Sequence, residues 1–195
     1  MRGYYRVLHS GGPDGEIGAS LRYLSQRFTM PNRTTSALLK ENVTLEDDGT
    51  VAVVNDDVWI LPPRTFSNMT KLKKVILPAE LRKIGSFAFS GCSGLEVVNI
   101  PPQVVIIDDG AFYGCRSLKA INLPNTVVGI GSMAFSGTDL GTLTIPESVR
   151  YIDDGALADC PRIKQVTLPA DFYDRPYEKW GLIFVSNPDI IPPSN

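Results

Sequence analysis

Residues 80–101 read Glu80-Leu-Arg-Lys-Ile-Gly-Ser-Phe-Ala-Phe-Ser-Gly-Cys-Ser-Gly-Leu-Glu-Val-Val-Asn-Ile-Pro101, and the chain repeats this pattern along more than half its length. Pro78, Pro101, Pro124, Pro146 and Pro169 follow one another at spacings of 23, 23, 22 and 23 residues. Phe66, Phe89, Phe112, Phe135 and Leu157 keep step with them, as do Leu72, Leu95, Leu118, Leu140 and Ile163. Ile84, Ile107, Ile130 and Ile152 form a further row. A fixed period in this range is the signature of a solenoid, in which no unit buries its apolar face alone and stacked neighbours share one core. The copies run 61–78 (degenerate at its start), 79–101, 102–124, 125–146 and 147–169.

One coil can be read from strand alternation. Leu95, Val98 and Ile100 point inward, while Val97 and Asn99 point outward. Proline lacks a ladder donor, so Pro101 closes the strand. This predicts parallel strands near 73–77, 96–100, 119–123, 141–145 and 164–168 in one sheet. The return half of the coil places Ala-Phe pairs against the core, with the phenylalanines stacking from coil to coil and Leu157 taking the place in the last. The coil is one residue short between Phe135 and Leu140, which predicts local tightening.

The recurring Ala88-Phe89, Gly91-Cys92 and Leu95-x-x-Val98-x-Ile100-Pro101 resemble the BspA-like leucine-rich repeat. The resemblance implies an α/β, right-handed leucine-rich-repeat solenoid: a parallel β-sheet with short helical or irregular convex segments, capped at both ends. Proteins of this type are often bacterial surface or host-contact proteins, which implies a role in cell adhesion and protein binding.

The flanks have a different texture. Residues 1–41 read as an N-terminal helical segment, 42–60 as a β-hairpin N-cap, 61–169 as five coils and 170–195 as a C-terminal cap and tail. Ile17, Leu21, Leu24 and Phe28 make an apolar stripe on a helix over 14–28, ended before Pro31, and a short second helix runs from Thr34 or Thr35 to Lys40. Val43-Thr-Leu45, the turn Asp47-Asp48-Gly49 and Val51-Ala-Val-Val54 form the hairpin. After Pro169 an aromatic cap follows over 171–180, Gly181–Val185 makes a last strand, and the tail frays from Asn187.

The segment His9-Ser-Gly-Gly-Pro-Asp-Gly-Glu-Ile-Gly-Ala-Ser-Leu-Arg-Tyr-Leu-Ser-Gln-Arg-Phe-Thr-Met-Pro31 resembles the first helix of the manganese-catalase and spore-coat family, where the glutamate at the Glu16 position ligates metal. The match ends after Leu38-Leu39. Where the family carries a glutamate pair and a histidine, this chain has Lys40-Glu-Asn-Val-Thr44, and its one histidine, His9, precedes Glu16. A di-metal carboxylate bundle draws ligands from four helices. The resemblance therefore implies shared ancestry, or a fragment or fusion derived in part from such a protein without retained catalysis. Glu16 reads as a first-turn carboxylate favoured by the helix dipole.

Net charge is −2, which excludes a general attraction to nucleic acid. No apolar run is long enough to span a bilayer. The start, Met1-Arg-Gly-Tyr-Tyr-Arg, lacks a signal-peptide core, so the chain as written reads as cytoplasmic; the repeat resemblance implies the secreted or cell-surface alternative. Cys92, Cys115 and Cys160 share one register, and their odd number and spacing read as buried fillers rather than disulfides or a zinc site. Gly129-Ile-Gly131-Ser-Met-Ala134 has dinucleotide-fingerprint spacing, but Ile130-Gly131 and Ala134-Phe135 are repeat positions, and the coil has no room for the long helix a phosphate site needs. Asp108-Asp109 and Asp153-Asp154 precede glycines and read as turn formers rather than calcium ligands. No catalytic residue, metal-ligand set or cofactor site emerges, and the chain reads as a non-enzyme.

The candidate binding residues are the outward columns of the concave face. One comprises Ile76, Asn99, Asn122, Thr144 and Thr167; the next, Lys74, Val97, Ala120, Thr142 and Gln165. Lys73, Glu96, Lys119, Gly141 and Lys164 border them. This hydrogen-bonding, mildly basic surface suits a protein or glycan partner and lacks the aromatic make-up of a nucleic-acid groove.

Overall fold

The computed structural model describes residues 41–172 and 189–191. The helices expected over 14–28 and 34–40, the catalase-like segment with Glu16, most of the aromatic cap and the strand expected over 181–185 lie outside these residues. The described chain is a β-solenoid with little helix. Its strands are β1 (Val43–Glu46), β2 (Val51–Val54), β3 (Ile60–Leu61), β4 (Lys74–Ile76), β5 (Lys83–Ile84), β6 (Val97–Val98), β7 (Ile106–Ile107), β8 (Gly129–Ile130), β9 (Thr142–Thr144), β10 (Tyr151–Ile152), β11 (Gln165–Thr167) and β12 (Asp189–Ile191).

The hairpin opens the stack. Its turn is left-handed at Asp47, Asp48 and Gly49 (φ 48°, 55° and 84°), conformations that glycine, Asp and Asn adopt most readily. The N–H and hydroxyl of Thr50 both donate to the Asp47 carbonyl. β1 and β2 are antiparallel; β2 then pairs in parallel with β4, which aligns Val51 with Lys74 and Val53 with Ile76.

Each coil contributes to three walls. The first carries β4, β6, β9 and β11. The second is a parallel sheet in the order β10-β8-β7-β5-β3. It was not assigned from the sequence because two-residue strands show no alternation; the Ile84, Ile107, Ile130 and Ile152 row marks it only as core. Coils approach so closely here that a Cβ on Gly85 would lie 2.5 Å from the Leu61 carbonyl oxygen. The third wall is made of turns. The amides of Phe66, Phe89, Phe112 and Phe135 donate to the carbonyls of Ala88, Ala111, Ala134 and Ala156 in the next coil, at 2.7–2.9 Å. Flanking rungs run the same way, from Phe87 to Asp109 and from Gly91 to Tyr113 among them.

The core fills the space between the walls. The rings of Phe66, Phe89, Phe112 and Phe135 stack at centroid distances of 5.2, 5.1 and 5.5 Å, nearly parallel. Coils joined by parallel ladders rise about 4.7–4.9 Å, so identical aromatic rings in one register meet in van der Waals contact with offset. Leu157 continues the row, fully buried. Cys92, Cys115 and Cys160 are buried and free, each thiol donating to the carbonyl of a phenylalanine one coil back: Phe66, Phe89 and Phe135. In the shortened coil Thr138 holds the equivalent place and donates to Phe135 at 2.7 Å.

Three expectations are corrected. The five strand segments do not share one sheet: β4 and β6 belong to a sheet with β1 and β2, β9 and β11 to one with β12, and residues 119–123 form no strand. Ala120 and Asn122, with Asn99 beside them, are poor strand formers, and the ladder lapses where they cluster. The Gly141 amide still donates to the Lys119 carbonyl, which keeps the coils in step. Second, the tail does not simply fray after Asn187: Asp189–Ile191 pairs in parallel with Gln165–Thr167. Its consecutive isoleucines favour extended backbone, and β11 offers an unpaired edge. Third, Asp108 does more than form a turn. Its carboxylate is buried, 2.9 Å from Lys83 Nζ and accepting from Ser86 Oγ, while Asp109 accepts from the Ser132 amide. Both aspartates tie neighbouring coils.

Candidate functional site

The first wall presents the candidate residues. Alternation puts Val75, Val98, Leu143 and Val166 into the core and turns their neighbours out. Lys74, Ile76, Val97, Asn99, Ala120, Asn122, Thr142 and Thr144 are exposed, whereas Gln165 and Thr167 are half-buried, beside β12, which pairs with β11 at Asp189 and Ile191. The ladders bring Lys74 beside Val97, Thr142 beside Gln165 and Thr144 beside Thr167. They do not reach Asn99, Ala120 or Asn122, which lie in the gap between the two sheets.

Sequence reasoning missed that the columns continue onto the cap. Val51 and Val53 stand in register with Lys74 and Ile76, and Glu46 and Thr44 stand beyond them on β1. Together with Ile76 and Val97, exposed by 44% and 46%, these valines make the hairpin end of the wall aliphatic. The far end, with Thr142, Thr144, Gln165 and Thr167, is polar. The signal was present in Val51-Ala-Val-Val54, whose alternation assigns Val51 and Val53 to one face, but the register joining hairpin to first coil is not readable locally.

Lys73, Lys74, Lys119 and Lys164 are exposed on or beside this face, against Glu46, Glu96 and Asp189, the last in register with Gln165, so lysines outnumber carboxylates here although the chain is net negative. Surface charges of this kind act on encounter more than on final affinity. Among the described residues, no group of three or more His, Cys, Asp or Glu side chains could hold a metal ion, and no helix is long and apolar enough to cross a membrane. The buried cysteines are poor nucleophiles: desolvation pushes the Cys92 thiol up to about 11 and raises Cys115 and Cys160 as well, while only the thiolate reacts.

No curated protein matches the chain significantly. Solved structures do. A leucine-rich repeat protein from T. pallidum is 28% identical over 66% of this chain and 69% of its own, with a TM-score of 0.59. The pneumococcal vaccine antigen PcpA is 26% identical over 75% of this chain, with a TM-score of 0.59, and a leucine-rich repeat protein from Bacteroides ovatus is 25% identical over 67%, with a TM-score of 0.52. The chain spans 42% and 46% of those two proteins. The sequence profile of the BspA type leucine-rich repeat region matches residues 59–177 in six copies. The repeat period, the stacked phenylalanines, the ladders and these matches agree: the chain belongs to the BspA-type leucine-rich repeat family.

Proposed function

We propose that the chain is a non-enzymatic interaction module that binds a protein through the strand face, with its aliphatic hairpin end as anchor. The observation that carries this reading is the exposure of Ile76 and Val97 in register with Val51 and Val53 on a wall held by ladders. Side chains fixed in this way lose little freedom on binding. Magnitudes favour the aliphatic end over the lysines. Fully burying a Val or Ile contributes about 1.5–3 kcal/mol, and roughly half of each is still available here, whereas an exposed ion pair contributes about 0.2–1 kcal/mol. A glycan is the second ligand class, and Asn99, Asn122, Thr142 and Thr144 favour it by presenting hydrogen-bonding groups along the polar end. Similarity to a pneumococcal vaccine antigen supports display at a bacterial surface.

The test compares two variants verified as folded, Ile76→Arg with Val97→Arg and Asn99→Arg with Asn122→Arg, for retention of partners from host and bacterial extracts. A greater loss with the first pair supports a protein bound at the aliphatic end; a greater loss with the second supports a glycan. Full retention by both moves the site off this face.

A further inference from the structure

β1 is the outermost strand of its sheet, and among the described residues nothing pairs with its outer edge. Thr44, Leu45 and Glu46 are exposed, Leu45 by 50%. An unprotected edge is a template for another strand, and the donor pattern of this one shows which strand fits. The Asn55 amide donates to the Asn42 carbonyl at 2.8 Å, which makes Asn42 and Asn55 a hydrogen-bonded pair. Antiparallel pairs alternate between bonded and non-bonded, so with Thr44 opposite Val53 and Glu46 opposite Val51, the backbone groups of Thr44 and Glu46 turn inward to β2. Those of Val43 and Leu45 turn outward.

We propose that β1 pairs antiparallel with β1 of a second copy of this chain, about a twofold axis at Thr44. In that register Val43 of each copy faces Leu45 of the other, and each such pair exchanges both of its backbone hydrogen bonds, using every outward donor and acceptor of the two residues. The side chains agree with the backbone. Val43 packs on Leu45 on one side of the sheet; on the other, Thr44 meets Thr44, a favourable cross-strand pair. The two Glu46 side chains fall at opposite ends of the pairing, away from each other. Centring the axis on Leu45 instead would set Val43 against Asp47, whose left-handed backbone (φ 48°) cannot continue a strand. The alternative therefore forms fewer bonds, and an isologous twofold contact closes at the dimer. The short strand makes this a small interface, so association is reversible and concentration-dependent. The pairing is independent of what the strand face binds.

Sedimentation velocity of the full chain over a wide concentration range tests it. The expected result is a monomer–dimer equilibrium that disappears in both Leu45→Pro and Thr44→Lys. The first removes an outward donor while sparing the β1–β2 ladder, and the second sets two ammonium groups against each other at the axis while keeping every backbone donor. Circular dichroism melts matching the wild type confirm that each variant is folded; if the proline variant unfolds, the lysine variant decides alone. A wild type that is monomeric throughout overturns the proposal, as does a dimer that persists in Thr44→Lys.

Discussion

The turn wall and the strand face are built from the same coils yet tolerate opposite things. Along the turn wall each of the first four coils donates hydrogen bonds to the next, and the phenylalanines behind it stack without a break. Along the strand face the ladder lapses at 119–123 and resumes at β9, and the solenoid continues regardless. Coil-to-coil cohesion is therefore carried through the gap by the turns, the buried rings and the unbroken second sheet. The face, relieved of that task, can carry residues such as Asn99, Ala120 and Asn122 that weaken a ladder and vary the surface.

The comparison breaks most directly at Phe112, in the middle of the stack. Phe112→Ala should cost about 3–5 kcal/mol, the usual range for truncating a buried aromatic, with the loss spread along the array by coupling between coils. Chemical denaturation measures it; a change within about 0.5 kcal/mol, as for a surface position, would mean the rings do not carry the stack. Asp108→Ala comes next. It leaves the Lys83 ammonium buried without its carboxylate, and breaking a buried pair costs about 3–5 kcal/mol; the long lysine stem can shift toward solvent, which puts the expected value near about 3 kcal/mol. The double change Lys83→Met with Asp108→Leu should recover most of that loss, and failure to recover would show that the pair does more than satisfy itself.

Gly110 sharpens the contrast within the turn wall. Its φ is 57°, and a Cβ there would collide with the Phe87 ring, over which the Arg64 guanidinium also lies at 4.9 Å. Gly110→Ala should destabilise by about 1–2 kcal/mol from backbone handedness alone, with ring displacement adding to it. An unchanged melting temperature would contradict the tight packing of Phe87 on this glycine. The thiols supply a pH test of the same wall. Burial raises Cys92 from the ordinary 9.0 to about 11, so the folded state holds this proton more tightly than the unfolded one. The resulting stability is full below about pH 9.0 and is lost as pH rises through about 11. Native thiol titration at neutral pH should accordingly be slow at all three cysteines and rapid in denaturant; fast native labelling would place them at the surface. The smallest effect belongs to the strand face: Asn122→Thr, a better strand former, should stabilise by a fraction of the roughly 1 kcal/mol that strand propensities span, and hydrogen exchange at 119–123 should slow if the ladder closes.

Much of this was legible before the structure. The period alone located the core, since residues such as Phe89, Leu95 and Ile107 recur in one register and only a stacked coil buries them together. The alternation around Val98 assigned the exposed columns correctly at Lys74, Ile76 and Val97. What was not legible depends on relations between distant segments. Two-residue strands such as Lys83–Ile84 carry no alternation of their own, so the second sheet appears only when neighbouring coils pair. The joining of Val51 and Val53 to the first coil, which gives a polar face an aliphatic end, is a matter of register across a chain reversal. The gap at 119–123 could have been suspected from Ala120 and Asn122, but a repeat invites the assumption that every copy behaves alike.

The one-way hydrogen bonding of the turn wall has an electrical consequence. In the β-ladders carbonyls and amides alternate in direction and their dipoles largely cancel. In the turns the amides of Phe66, Phe89, Phe112 and Phe135 all point toward the following coil. Peptide dipoles of about 3.5 D each therefore add along this wall, with its positive pole at the last coil and its negative pole at the first. The amides that flank the strands, those of Gly85, Val105, Gly131 and Asp153 among them, donate to the preceding coil instead, so the turn wall is polarised along the stack as a helix is while the opposite side of the core carries dipoles of the opposite sense.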